Sequence, residues 1–106
     1  LLDPVTAVSG SGPAYVFHLV ECLAAAGVAE GLPRPVAERL ARATIEGAGE
    51  LLFRSDLSPE TLRQNVTSPG GTTAAALTVL MGTDGLQPLM TKAVAAARRR
   101  AEELSG

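Results

Sequence analysis

The chain has 106 residues, 46% of them hydrophobic but only 3% aromatic, a size that suits one domain whose core is built from Ala, Val and Leu with close backbone approach rather than from large rings. A formal net charge of -2 argues against nucleic acid as a partner, because that binding rests on neutralising phosphates. One cysteine, Cys22, and one histidine, His18, exclude an intrachain disulfide and leave too few ligands for a metal site of His and Cys, while no apolar run approaches the roughly 20 residues of a membrane span. The chain opens at Leu1 rather than at a methionine and reads as a piece of a longer protein.

In chain order, every predicted element is a helix, and no strand pattern of useful length occurs. "SGSGP", Ser9 to Pro13, reads as a tight lead-in to the first helix, with Ser11 as its cap and Pro13 in its first turn. Its two glycines do not make a dinucleotide fingerprint, since Tyr15 stands where the third glycine belongs and no strand precedes. That helix runs from about Pro13 to Glu30, and Gly31 with Pro33 ends it. Its apolar residues surround it, so it needs cover on all sides. The expectation is an obligate homo-oligomer with this helix in the interface; a helix wholly wrapped by its own chain is the alternative. Cys22 reads as a buried inert thiol, and Tyr15 as a core ring whose hydroxyl needs a partner.

The second helix, Pro33 to Arg54, carries Arg34, Glu38, Arg42, Glu46, Glu50 and Arg54 every four residues, a solvent-facing stripe of favourable pairs. Val36, Leu40, Ala43, Ile45, Gly47, Ala48, Leu51 and Leu52 make its other side, with Gly47 and Gly49 expected to admit a neighbouring helix. Ser58, Pro59 and Glu60 stand in the order that a helix start prefers. Leu62 and Val66 share one face of that short helix. A helix from about Thr73 to Met81 follows, then the turn Gly82 to Gly85, then a last helix from Leu86 to Leu104. An apolar stripe of Leu89, Val94, Ala97, Ala101 and Leu104 marks the inner side of that last helix. The run Arg98 to Arg100 is followed at once by Glu102 and Glu103 and reads as a solvated face. The fold expected is all-α, with five or six helices and short loops.

Chemistry points to "TSPGGTT", Thr67 to Thr73. Gly70 and Gly71 let a ligand approach the backbone, and Thr72 and Thr73 open a helix whose unpaired N–H groups and partial positive charge favour an anion. A carboxylate could take two or three backbone hydrogen bonds there, with the threonine hydroxyls on a neighbouring group of the same ligand. A plain turn with a threonine cap is the competing reading. Asp56 and Asn65 are further polar candidates, or simple turn residues.

"AVSGSGPAYVF" and "NVTSPGGTT", in this order and with "GVAEGLPRPVAERLA" between them, resemble the C-terminal domain of pyrroline-5-carboxylate reductase. The resemblance covers essentially the whole chain. It implies an interleaved helical dimerisation domain, like the 6-phosphogluconate dehydrogenase C-terminal-domain-like fold, over residues 1–106, with the Rossmann domain of the family absent from this chain. It implies reduction of 1-pyrroline-5-carboxylate to L-proline, the last step of proline biosynthesis, with NADPH or NADH bound mainly by the absent domain. No cofactor-binding residue and no metal ligand is expected here, and the fragment alone is expected to be inactive. By the same resemblance the carboxylate is held by backbone N–H groups around Gly71, Thr72 and Thr73, on the loop that includes Gly70. The Thr73 hydroxyl is the catalytic candidate, beside the imine nitrogen. Asn65 and Val66 line the pocket, Asp56 matches a position that is often acidic, and Thr72 acts through its backbone alone. The implied partners are a second copy in a homodimer, a ring of dimers and a small imine acid or proline, in the cytoplasm, with neither nucleic acid nor membrane. A helical oligomerisation module of a degenerate, non-catalytic paralogue is the alternative, and another dehydrogenase acting on a different small acid is a third reading.

Overall fold

The computed structural model describes residues 1–106, and every regular element in it is helical. In chain order these are α1 (Leu2–Val5), a π-helical turn (Thr6–Gly10), α2 (Gly12–Ala29), α3 (Arg34–Arg54), α4 (Pro59–Asn65), α5 (Thr72–Leu80) and α6 (Leu86–Ser105). Two compact units result: Gly12–Asp56, and Leu1–Ser11 together with Leu57–Gly106.

The unit Gly12–Asp56 is the hairpin of α2 and α3. Gly31, at φ 104, takes a backbone conformation that side chains resist. Around it the Gly31 N–H donates to the Val28 carbonyl at 3.0 Å, and the Leu32 N–H donates to the Gly27 carbonyl at 3.1 Å. This paired closure satisfies the last carbonyls of α2 within the hairpin itself. Pro33 then stands extended as the cap residue of α3. The helices meet through Ala24, Ala37 and Ala41, all buried, with Val20 and Val28 packed against them. Gly27 is the close-approach glycine, since a Cβ there would lie 3.3 Å from Leu32 Cδ1 and 3.4 Å from the Ala37 Cβ.

Several expectations are corrected here. Gly47 and Gly49 face open space, so neither admits a helix within this chain. The buried face of α3 is Ala37 and Ala41 rather than the Val36-to-Leu52 set; Leu40, Leu51 and Leu52 are exposed. The reason is distance, because small residues let the helix axes come close and hold larger neighbours off the contact line. The charged stripe is exposed as expected, with Arg42 paired to Glu46 at 3.8 Å and Arg54 to Glu50. On α2 only Ala24 is buried, and Phe17 is 68% exposed, so its own chain does not wrap it. Cys22 is exposed rather than buried. It lies on a different side of α2 from Ala24, with its Sγ 3.4 Å from His18 Nε2, while His18 Nδ1 stands 3.1 Å from Glu21 Oε1.

The other unit joins the start of the chain to its end. The π-helical turn buries Ala7 completely, and α6 packs on α1 and on this turn. "SGSGP" is therefore not a tight lead-in. Ser11 caps nothing: it is helical, at φ -83 and ψ -21, and its N–H reaches back to the Thr6 carbonyl at 2.9 Å, the long step of a π turn. The helical path is continuous from Leu2 to Ala29, and those 28 residues are long and apolar enough to cross a membrane by length and composition, contrary to the expectation from the shorter helix. Core helices of assemblies meet the same test. On α6 the half-buried residues include Val94, Ala97 and Ala101, whereas Leu89 and Leu104 of the expected stripe are exposed. Val66 is exposed as well, while Leu62 is half-buried. Two of the three arginines in the run are paired: Arg98 with Glu102, and Arg100 with Glu103 at 2.9 Å.

Candidate functional site

Two short helices and the loop between them build the site. α4 starts as its sequence predicts: Ser58 is extended, and its Oγ accepts from the Thr61 N–H at 3.1 Å. At its other end the Val66 N–H donates to the Arg63 carbonyl at 3.3 Å, and the Thr67 N–H donates to the Gln64 carbonyl at 3.1 Å. The Thr67 hydroxyl also donates to the Arg63 carbonyl, at 2.6 Å. Ser68 to Gly71 then form a β-turn, closed by the Gly71 N–H on the Ser68 carbonyl at 3.0 Å. Pro69 at the second position and Gly70, at φ 73, at the third are what a type II turn demands.

Gly71 is the residue before α5, extended at φ -85 and ψ -175, and no side chain caps the helix. The first amide of the helical ladder is that of Ala75, which donates to the Gly71 carbonyl at 3.2 Å. The N–H groups of Thr72, Thr73 and Ala74 precede it and lie at the positive end of the α5 dipole, a ready receptor for a carboxylate. The structure thus redistributes the amides read from sequence: Gly71's is spent in closing the turn, and Ala74's joins the open set. Both threonine side chains are exposed, beside the amides and not bonded over them.

The remaining candidates are placed as follows. Asn65 is the last residue of α4, and Val66 follows it; both are exposed. Gly70, Gly71, Thr72 and Thr73 follow after Thr67, Ser68 and Pro69, so six of the seven sequence candidates share one short stretch of backbone. Asp56 is the seventh; it is exposed just beyond α3 and belongs to the other unit. Sequence reasoning passed over Thr67 and the Ala74 amide. The signal for Thr67 was its spacing of four from Arg63, the separation at which a threonine hydroxyl reaches back to a helical carbonyl.

Neither of two surface grooves holds any of these residues. One, of about 750 Å³, lies along α2 and α3 and mixes Val16, Phe17 and Val20 with Arg34, Glu38 and Arg42. The other, of about 360 Å³, lies around Gly27 and Leu32.

Comparison with known proteins agrees with this architecture. The chain is 48% identical over 104 residues to the pyrroline-5-carboxylate reductase of Synechocystis sp., covering 98% of this chain and 39% of that protein. A solved pyrroline carboxylate reductase from Plasmodium falciparum, with NADP bound, superposes with a TM-score of 0.90 at 37% identity, over 99% of this chain and 40% of its own. A pyrroline-5-carboxylate reductase structure from Coxiella burnetii gives a TM-score of 0.90 at 44% identity, over 96% of this chain and 37% of its own. The chain therefore spans well under half the length of these relatives. A family model described as pyrroline-5-carboxylate reductase dimerisation matches residues 1–104, and the chain belongs to that family.

Proposed function

We propose that residues 1–106 are the C-terminal dimerisation and substrate-binding domain of an enzyme that reduces 1-pyrroline-5-carboxylate to L-proline with NADPH or NADH, in the cytoplasm. The observation that carries this reading is the uncapped start of α5, where three successive amides stand open beside two threonine hydroxyls. The substrate is an anionic cyclic imine. Its carboxylate fits the amides of Thr72, Thr73 and Ala74, and charge-assisted bonds of that kind are roughly twice as strong as neutral ones. Held there, the ring brings its nitrogen to the Thr73 hydroxyl, which orients it and holds a proton bond at that atom. The side chains of Asn65 and Val66, at the opposite end of the loop, line the ring's other flank. The nicotinamide, when bound, supplies a hydride to the imine carbon. Gly10 to Gly12 do not fit the cofactor's pyrophosphate, because this stretch is wound into helix and the Ser11 amide is already bonded; the cofactor is assigned to a Rossmann domain preceding this one.

The second element of the proposal is a homodimer. It rests on the apolar surface of the unit Gly12–Asp56: Val16, Phe17, Leu19 and Leu23 of α2 are all more than two-fifths exposed, and Phe53 at the end of α3 is 85% exposed, a face of the kind that obligate homodimers cover.

Two measurements test the reading. Light scattering on the purified fragment at micromolar concentration gives the dimer mass, or a multiple of it if dimers close into a ring; a well-folded monomer overturns the dimer. In a spectrophotometric assay the full-length parent oxidises NADPH only when the imine acid is supplied, and the fragment alone does not turn over. A full-length parent inert towards the imine acid would sink the activity.

A further inference from the structure

Resting on the carboxylate clamp just proposed, we infer that Thr67 is a positioning residue for substrate: its hydroxyl bond to the Arg63 carbonyl holds the loop that aims the α5 amides. Thr67 is half-buried, and its bond to the Arg63 carbonyl is 2.6 Å long, shorter than either backbone bond at the same helix end. Two backbone bonds share that helix end, the Thr67 N–H on the Gln64 carbonyl at 3.1 Å being the shorter. Val66 bonds the Arg63 carbonyl at 3.3 Å, a long contact, and no glycine of positive φ closes α4. Beyond Thr67 the path to the clamp is short. Ser68 begins the β-turn, Pro69 and Gly70 are locked inside it, and Gly71 sets the α5 start, so Thr72 follows with no freely rotating residue between. The far side of Arg63 strengthens the anchor, since its Nη1 stands 3.4 Å from Sδ of Met81, the residue that ends α5. One arginine therefore touches both ends of the segment: its carbonyl takes Thr67 before the loop, and its side chain meets Met81, the residue that follows α5. The Thr67 hydroxyl is committed to the Arg63 carbonyl, so its part in binding is exerted through the backbone.

Thr67→Val tests this in the full-length parent enzyme, because valine keeps the branched shape and puts a methyl group in place of the hydroxyl. The KM for the imine acid should rise about tenfold, with kcat within twofold and the KM for NADPH unchanged. Thr67→Ser should restore the wild-type KM, because serine keeps the hydroxyl. In the isotopically labelled Thr67→Val protein, amide signals of Thr72, Thr73 and Ala74 should broaden or shift while those of α6 stay put. An unchanged KM, a serine variant as impaired as the valine one, or a valine variant in which kcat and both KM values worsen together, would overturn the inference. If the wild-type enzyme fails to reduce the imine acid, the activity falls, and undisturbed clamp amides in the valine variant would then overturn the positioning role by themselves.

Discussion

The α2–α3 hairpin and the connection from α4 to α5 each turn on a glycine of positive φ, Gly31 at 104 and Gly70 at 73, yet the two turns spend their amides differently. At Gly31 the amides of the turn fold back onto Val28 and Gly27, so the carbonyls of α2 are satisfied from within, and Pro33 stands extended before α3. At Gly70 the turn consumes its own closing amide, Gly71 to Ser68, and leaves the next three with no partner from the helix or from a cap. The first turn spends its amides on the helix before it, whereas the second spends only one and leads into an open helix start. α4 sharpens the contrast, because Ser58 caps it as the sequence predicts, whereas α5 starts from a glycine that offers no acceptor. α3 and α6 also start without a side-chain cap, so what sets the α5 start apart is the glycine turn before it and the two threonines beside its amides.

The largest way to break this contrast is to close the open end from within. Gly71→Asp places a carboxylate where a cap would stand, and it should occupy the α5 amides itself. Steady-state kinetics of the full-length enzyme should show the KM for the imine acid rising about 100-fold, the loss of one or two charge-assisted bonds. Thermal stability should change little, because capping offsets the crowding of the new Cβ, which lies 3.3 Å from the Ser68 carbonyl oxygen. A KM within threefold of wild type would show that the amides do not receive the substrate.

Next in size is the hydroxyl beside the clamp. Thr73→Ala leaves the amides intact and should lower kcat by about tenfold, a barrier rise of about 1.4 kcal/mol, with a smaller effect on KM. An unchanged kcat would reduce Thr73 to a position at the start of a helix. The smallest effect belongs to the closed hairpin. Gly31→Ala forces a side chain into the left-handed region and should cost about 1–2 kcal/mol in a denaturant melt. Kinetic constants measured at a temperature where the protein stays folded should not move, since this hairpin holds none of the six candidates between Asn65 and Thr73. A kinetic defect as large as that of Gly71→Asp would erase the division between a structural turn and a binding turn.

Much of the architecture was legible because it is written locally. Gly31 with Pro33, Ser58 with Pro59, and the Gly82 to Gly85 turn punctuate the chain strongly enough that each internal helix boundary lies within about a residue of its expected place. The loop at Thr67 to Thr73 was legible for the same reason, since proline followed by glycine admits few backbone paths. The start of the chain was not. "SGSGP" contains residues that break helices in isolation, and it is wound into one continuous path where α6 packs on α1 and the turn that buries Ala7. The inner face of α3 was equally hidden. Hydrophobicity favoured Leu40, Leu51 and Leu52, but Ala37 and Ala41 won because two helices can approach closely only where side chains are small.

By itself, then, the order of residues determined where the internal helices begin and end and that a glycine turn precedes α5, because capping, φ preference and turn closure act across four or five neighbours. Tertiary structure alone decided which faces are covered, that Cys22 stands exposed beside His18, that Gly27 rather than Gly47 or Gly49 is the point of close approach, and that the open amides are those of Thr72 to Ala74. The covered faces and the close approach at Gly27 depend on which residues of another helix arrive there, and no local preference encodes that; the exposure of Cys22 beside His18 and the set of open amides follow from bonds three or four residues long that only the folded backbone displays.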